Sequence, residues 1–265
     1  TADELAPHIK EATILALCSP LNPTGTTFTE KVLREICELV LDENAKRAGN
    51  KKPLYVIYDQ IYWMLTADGI THHNPVSLFP EMKPYTIFVD GISKSLSATG
   101  VRVGWSMGPA SVIARMKSIL GHVGAWAPKA EQVATAKFLA NQDALHTYLT
   151  ELRTKINTRF NGLYQGIKSL QAKGFPVDII APEGAIYVTV QFALQGKTTQ
   201  AGHTITTTED ITAYLLNEAK IAVVPFTAFG CATGINWYRI SVGTLAESDI
   251  IEVLNNLEQA LHKLK

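Results

Sequence analysis

Apolar runs recur along this chain as they would in a sheet laid down strand by strand. Ala12-Thr13-Ile14-Leu15-Ala16-Leu17, Leu54-Tyr55-Val56-Ile57-Tyr58 and Thr86-Ile87-Phe88-Val89-Asp90 are short and almost continuously apolar. That is the pattern of strands buried on both faces, and Val101 to Met107 reads as a fourth. Between the first two, Thr27 and Glu30 form a capping box, after which Val32, Leu33, Ile36, Leu39 and Val40 repeat at helical spacing until Gly49. Strands separated by a helix or a long connection predict a mostly parallel sheet covered on both faces.

Further on the pattern turns helical. Ala110 to Leu120 reads as a short helix, and Lys129 to Lys173 as a long helical tract broken near Asn141 to Asp143. Leu145, Tyr148, Leu149, Leu152, Ile156, Phe160, Leu163, Ile167 and Leu170 keep one apolar stripe along its second half. After Gly174-Phe175-Pro176 come short strands at Val177 to Ile180, Ala185 to Gln191, Ile221 to Val224 and Trp237 to Val242, with helices near 209–219 and 246–264. The fold class is therefore α/β, a doubly wound large domain over residues 1–150 followed by a smaller α+β domain over 151–265. Gly196 to Thr208, rich in Thr, Gly and Gln, reads as an exposed loop.

Composition narrows the chemistry. Lysine plus arginine equals aspartate plus glutamate, 24 against 24, so no electrostatic footprint points to nucleic acid or to an anionic membrane. No apolar run approaches the roughly 18 residues of a membrane span. Cys18, Cys37 and Cys231 have neither metal-ligand nor redox spacing, and free thiols in a reducing cytosol are expected. The adjacent pair His72-His73 lacks a third ligand at metal spacing, so no metal site is predicted. Small-molecule chemistry is what remains.

One lysine stands out. Lys94 leaves an apolar strand into a loop of small and hydroxyl residues, Gly91-Ile92-Ser93-Lys94-Ser95-Leu96-Ser97-Ala98-Thr99-Gly100. Partial desolvation there and a neighbouring cation, Arg102, would favour the neutral, nucleophilic amine of Schiff-base chemistry. In parallel sheets a ligand lies beyond the carboxyl ends of the strands, which is where Asn22, Asp59 and Lys94 fall.

Four motifs occur in order: Asn22-Pro23-Thr24-Gly25; Asp59-x-x-Tyr62; Ser93-Lys94 with Ala98-Thr99-Gly100-Val101-Arg102-Val103-Gly104-Trp105; and Tyr238-Arg239-Ile240-Ser241. Alone, each has a plainer reading as a turn, a helix cap, a core aromatic, an ion pair or a surface lysine. Together, over nearly the whole chain, they resemble the class I/II pyridoxal-phosphate aminotransferases of the aspartate-aminotransferase-like fold. That resemblance implies pyridoxal 5'-phosphate as cofactor and Lys94 as the amine of the internal aldimine and the proton shuttle. It makes Asp59 the partner of the pyridine nitrogen, Tyr62 and Asn22 the donors to the phenolic oxygen, and Arg102 with Ser93 the phosphate site. Arg239 becomes the grip on the substrate α-carboxylate, and the Asn22–Pro23 bond is expected to be cis. The implied reaction moves an amino group between an amino acid and a 2-oxo acid by a ping-pong cycle, in a cytoplasmic homodimer.

The same residues serve relatives that act as lyases or synthases, and an aminotransferase-like domain also occurs as the ligand-sensing part of some transcription regulators. Two departures from the family pattern are visible. Gly91 stands where many relatives carry a phosphate-binding serine, leaving Ser93 or Ser95 to replace it. Roughly the first third of the family polypeptide has no counterpart ahead of Asn22, so the chain is expected to be a segment of a longer enzyme.

Overall fold

The protein is described from a computed structural model covering residues 1–47, 49 and 51–265. By internal contacts it divides into two compact units. One comprises Thr1–Leu21 and Thr26–Thr150; the other comprises Asn22–Gly25 and Glu151–Lys265. The Asn22–Gly25 loop thus groups with the C-terminal half, although it lies within the first unit's sequence.

The first unit begins with a single helical turn, α1 (Ala2–Leu5), and builds a four-stranded sheet. Strands β1 (Ile14–Cys18), β2 (Tyr55–Asp59), β3 (Thr86–Gly91) and β4 (Gly104–Met107) lie in that order. The first three are parallel, and β4 runs antiparallel to β3. The anticipated fourth strand is therefore shorter and reversed, with Thr99–Val101 forming a 3-10 turn instead. Residues 92–103 hold only that turn and the short helix α4 (Ile92–Ser95), too little chain to return to the far end of the sheet for a parallel pairing.

Helix α2 (Glu30–Arg47) sinks Leu33, Ile36, Cys37 and Val40 to 2% exposure or less. Leu33, Cys37 and Val40 join a core with Ile9, Leu54, Val56, Tyr58 and Met82. Each such aliphatic side chain contributes about 1.5–3 kcal/mol by leaving water, so Val40→Asp would undo the face. Its cap is Thr29, whose hydroxyl accepts from Val32 N at 3.3 Å, not the anticipated Thr27. The expected end at Gly49 touches residues 48 and 50, which lie outside the described residues. Arg47 is buried and fastens this helix to its surroundings through Glu43 Oε1 at 2.7 Å and the carbonyls of Ile9, Lys10, Ala12 and Lys52.

Beyond α3 (Pro75–Leu78) and β4, cover is uneven. Helix α5 (Ala110–Val123) has no buried residue, and α6 (Lys129–Ala140) buries only Thr135. Ile119, Val123, Trp126, Val133 and Phe138 all stay exposed.

Helix α7 (Gln142–Ala172) contains the 150/151 boundary and buries Ile156, Phe160, Leu163, Ile167 and Leu170, the second half of the anticipated stripe. The antiparallel sheet of the second unit runs β5 (Val177–Ile179), β6 (Tyr187–Phe192), β8 (Trp237–Ser241), β7 (Val224–Pro225) across its width. Helices α8 (Thr208–Glu218) and α9 (Ile250–His262) pack on one another, with Tyr214 Oη donating to the Ala260 carbonyl at 2.7 Å. Two strands start later than their apolar runs suggest, because Ala185 and Lys220 adopt positive φ (61° and 58°) and break the extended backbone. The Gly196 to Thr208 segment is not wholly exposed either. Thr198 bridges Thr204, and Ile205 is fully buried.

Candidate active site

Strand register gathers one group of residues at one end of the first sheet. Asp59 ends β2 opposite Cys18 on one side and Val89 on the other, and Gly91 at the end of β3 pairs with Gly104 at the start of β4. Lys94 follows Gly91 by three residues in α4, and Arg102 precedes Gly104 by two. Asp59, Lys94 and Arg102 therefore emerge from the same rim. The strands approach closely there: a Cβ on Gly91 would lie 2.9 Å from both Gly104 Cα and Val103 O. A serine at that position would have no room for its side chain.

The three charged groups have no ionic partner among the described residues. Asp59 Oδ1 accepts from Ile61 N at 3.0 Å, closing its own turn. Lys94 is half-buried, with no hydrogen-bond partner for Nζ among the described residues. Arg102 is exposed, in the left-handed region at φ 62°, and is held by one bond to the Thr99 carbonyl at 2.9 Å. Tyr62 is buried at 3% exposure on the turn after β2. Ser93 is half-buried and its carbonyl takes the Thr99 hydroxyl, whereas Ser95 is buried and donates to the Gly91 carbonyl at 3.3 Å. Of the two serines left open as phosphate donors, Ser93 is thus the accessible one. Arg102 and Trp126 both line a cleft of roughly 730 Å³ with Asp90 and Trp105.

The other anticipated pair meets in the second unit. Arg239 on β8 donates through Nη1 to Asn22 Oδ1 at 2.8 Å. Its guanidinium lies over Tyr187 at 4.5 Å and over Phe229 at 4.9 Å, while its Nε is buried without a hydrogen-bond partner among the described residues. Two aromatic contacts hold the cation by its ring quadrupoles. Asn22 reaches this position because its loop is seated on the neighbouring strand. The Thr189 hydroxyl, opposite Arg239 in register, donates to the Thr24 carbonyl at 2.8 Å, and Glu183 N and Gly184 N donate to Gly25 O. Gly25 sits at φ +70° with its would-be Cβ against the Tyr187 carbonyl, so only glycine fits. The Asn22–Pro23 and Ser19–Pro20 bonds are both cis.

Sequence reasoning passed over Asp90, Tyr187, Phe229 and Thr189. Asp90 is buried at 6%, accepting from Gly91 N at 2.7 Å and Trp63 Nε1 at 2.9 Å. Burial raises its carboxyl above the usual carboxylate range, against those hydrogen bonds. A lone acid closing an otherwise apolar strand was the available signal. His72, by contrast, is not matched to any metal-binding cluster among the described residues. Burial pushes its ring down to about 4, and neither ring nitrogen finds a hydrogen-bond partner among the described residues.

A family model described as aminotransferase class I and II matches residues 1–257. The chain belongs to that family. Among similar class I and II aminotransferases, the aspartate aminotransferase of Pyrococcus abyssi (strain GE5 / Orsay) is 30% identical over 264 residues, 99% of this chain and 61% of that protein. The aspartate aminotransferase of Rhizobium meliloti (strain 1021) is 29% identical over 266 residues, 100% of this chain and 60% of its own. A crystal structure of the Rhizobium meliloti aspartate aminotransferase matches with TM-score 0.86 and 29% identity over 100% of this chain and 62% of that one. The aromatic aminotransferase of Pyrococcus horikoshii OT3 matches at 0.84 and 28%, over 99% and 63%. The chain spans about 60% of the length of the curated relatives it matches.

The donor set suits the cofactor that class I and II aminotransferases use. An amine, a carboxylate and a guanidinium stand at one rim with none neutralising another. Pyridoxal 5'-phosphate presents an aldehyde, a protonatable ring nitrogen and a phosphate, one for each. No helix among the described residues is long and apolar enough to cross a membrane.

Proposed function

We propose that this chain is the part of a pyridoxal-phosphate-dependent aminotransferase that moves an amino group between an amino acid and a 2-oxo acid in two half-reactions. The observation that carries the reading is the rim where Asp59, Lys94 and Arg102 emerge together without ionic partners among the described residues. When bound, the cofactor supplies an acceptor for the electrons released at the substrate Cα. Lys94 would hold the cofactor at its aldehyde group, and its Nζ would serve as the base that carries the Cα proton. The Asp59 carboxylate keeps a proton on the ring nitrogen.

Tyr62 and Asn22 donate to the ring oxygen; Asn22 has its Oδ1 on Arg239 and its amide N–H groups available for this. Arg102 and Ser93 bind the phosphate by charge-assisted hydrogen bonds. Arg239, its guanidinium held against Tyr187 and Phe229, would bind the substrate α-carboxylate. The relatives' names make aspartate the first donor to try. The working form is a homodimer, which the exposed apolar side chains of α5 and α6 support. We propose a cytoplasmic setting with it.

The test is spectroscopic. The chain loaded with pyridoxal 5'-phosphate should change its absorbance in a single half-reaction with aspartate, and Lys94→Ala should abolish borohydride-trapped label. Label spread evenly over other lysines of the unaltered chain would refute the reading.

A further inference from the structure

Two loops leave the rim of the first sheet, and one side chain joins them. The turn after β2 carries Asp59 and Tyr62 and is held by Trp63 N to Gln60 O at 2.9 Å and Leu65 N to Tyr62 O at 2.8 Å. The turn after β3 carries Lys94 in α4, with Leu96 N on Ile92 O at 3.1 Å and Ser97 N on Lys94 O at 3.1 Å. Asp90 lies in β3, one residue before its end. Its Oδ1 takes Gly91 N, the last amide before α4, and its Oδ2 takes Trp63 Nε1 from the other turn.

No cation stands among these partners, so the buried carboxylate is satisfied by neutral N–H donors alone. A carboxylate is suited to this because it only accepts: both oxygens can receive the N–H groups converging from two directions. An amide in its place would turn an N–H2 group toward one of those donors. A buried acceptor of this kind is retained only if its bonds are made, which makes the junction stiff rather than merely cohesive.

We propose that Asp90 is a positioning residue, its carboxylate tying the turn that bears Asp59 and Tyr62 to the turn that bears Lys94 and thereby fixing the Lys94 amine relative to the acid and the phenol. The inference rests on the reading of Lys94 as the cofactor-binding amine. Trp63 acts as the other half of the tie, and it is partly exposed, at 37%, so its indole reports on the junction without the cofactor.

The experiment measures how fast Lys94 is modified by pyridoxal 5'-phosphate, trapped by borohydride and located by peptide mass, in the unaltered chain, Asp90→Asn, Trp63→Phe and the double variant. Thermal melting and indole fluorescence are recorded on each protein without cofactor. Asp90→Asn should slow Lys94 modification about tenfold or more and red-shift the Trp63 emission, read as the difference between each protein and its Trp63→Phe counterpart. Trp63→Phe should slow it several-fold, and the double variant should be no slower than Asp90→Asn alone, because both remove the same tie. If Lys94 of the unaltered chain reacts no faster than the other lysines, the underlying functional reading fails. If it reacts selectively and both single variants, still folded, match its rate, Asp90 is only a structural acceptor and the proposal is overturned. Should Asp90→Asn fail to fold, Trp63→Phe decides alone: it leaves the carboxylate in place, and an unchanged rate refutes the tie.

Discussion

Arg239 and Arg102 are both assigned to anions, yet the chain treats them oppositely. Arg239 is half-buried, has aromatic rings at 4.5 and 4.9 Å and is bonded to Asn22. Arg102 is exposed and held by a single backbone carbonyl. The first guanidinium has already lost most of its rotamer freedom, so an incoming carboxylate need not order it. The second keeps that freedom and waits for a ligand to restrain it. Preorganisation thus differs between the two proposed anion sites: the guanidinium proposed for the carboxylate is already held, and the one proposed for the phosphate is loose.

The comparison breaks most severely at Gly25. Its positive φ and the carbonyl above it leave no place for a side chain, and strain of this kind costs on the order of 1–3 kcal/mol before the backbone clash is added. Gly25→Val should therefore lower the urea midpoint of the second unit by the equivalent of about 3 kcal/mol or more and free Arg239 from Asn22. A variant that melts like the unaltered chain would mean that the loop is not seated as described.

A second test sets the two units apart by pH. The folded pKa of His72 in the first unit is pushed down to about 4 by burial, against about 6.5 in an unfolded chain. Below 6.5 the unfolded chain takes up a proton that the folded site refuses, so stability is complete above that value and is lost as the pH falls toward 4, by roughly 3 kcal/mol in all. In the second unit His203 and His262 are both exposed. Denaturant midpoints at pH 7 and pH 5 should differ for the unaltered chain and converge in His72→Leu.

The smallest effect sharpens the contrast itself. Arg239→Ala removes two cation–π contacts at about 0.5–1 kcal/mol each and should cost roughly 1–2 kcal/mol. Arg102→Ala, on the surface, should stay within about 0.5 kcal/mol. Equal losses in calorimetry would show that the two sites are held alike.

Much of this was readable in advance, for reasons that residue type explains. The apolar runs announced β1 to β3, and the stripe from Ile156 to Leu170 announced the buried face of α7, because both depend on local periodicity. Lys94 was visible because an amine among serines at a strand end is out of place. What depended on distant partners was hidden. The reversal of β4 came from a connection too short for a crossover, and the late start of β6 from one positive φ at Ala185. The aromatic pair around Arg239 joins residues 187, 229 and 239, and no spacing rule connects them. Asp90 looked like the acid that ends a strand, and only its burial and its bond to Trp63 distinguish it.

The affiliation of the Asn22–Gly25 loop bears on how the polypeptide can be divided. The backbone changes unit at 21/22, again at 25/26 and a third time at 150/151, so no single scission yields two self-sufficient pieces. A protein truncated after Thr150 would carry the loop away from Thr189, Glu183 and Gly184, and the complementary piece would present Arg239 with its asparagine missing. Independent expression of the halves should therefore give one partner with an orphaned loop and another with a vacant seat, recoverable only by mixing them.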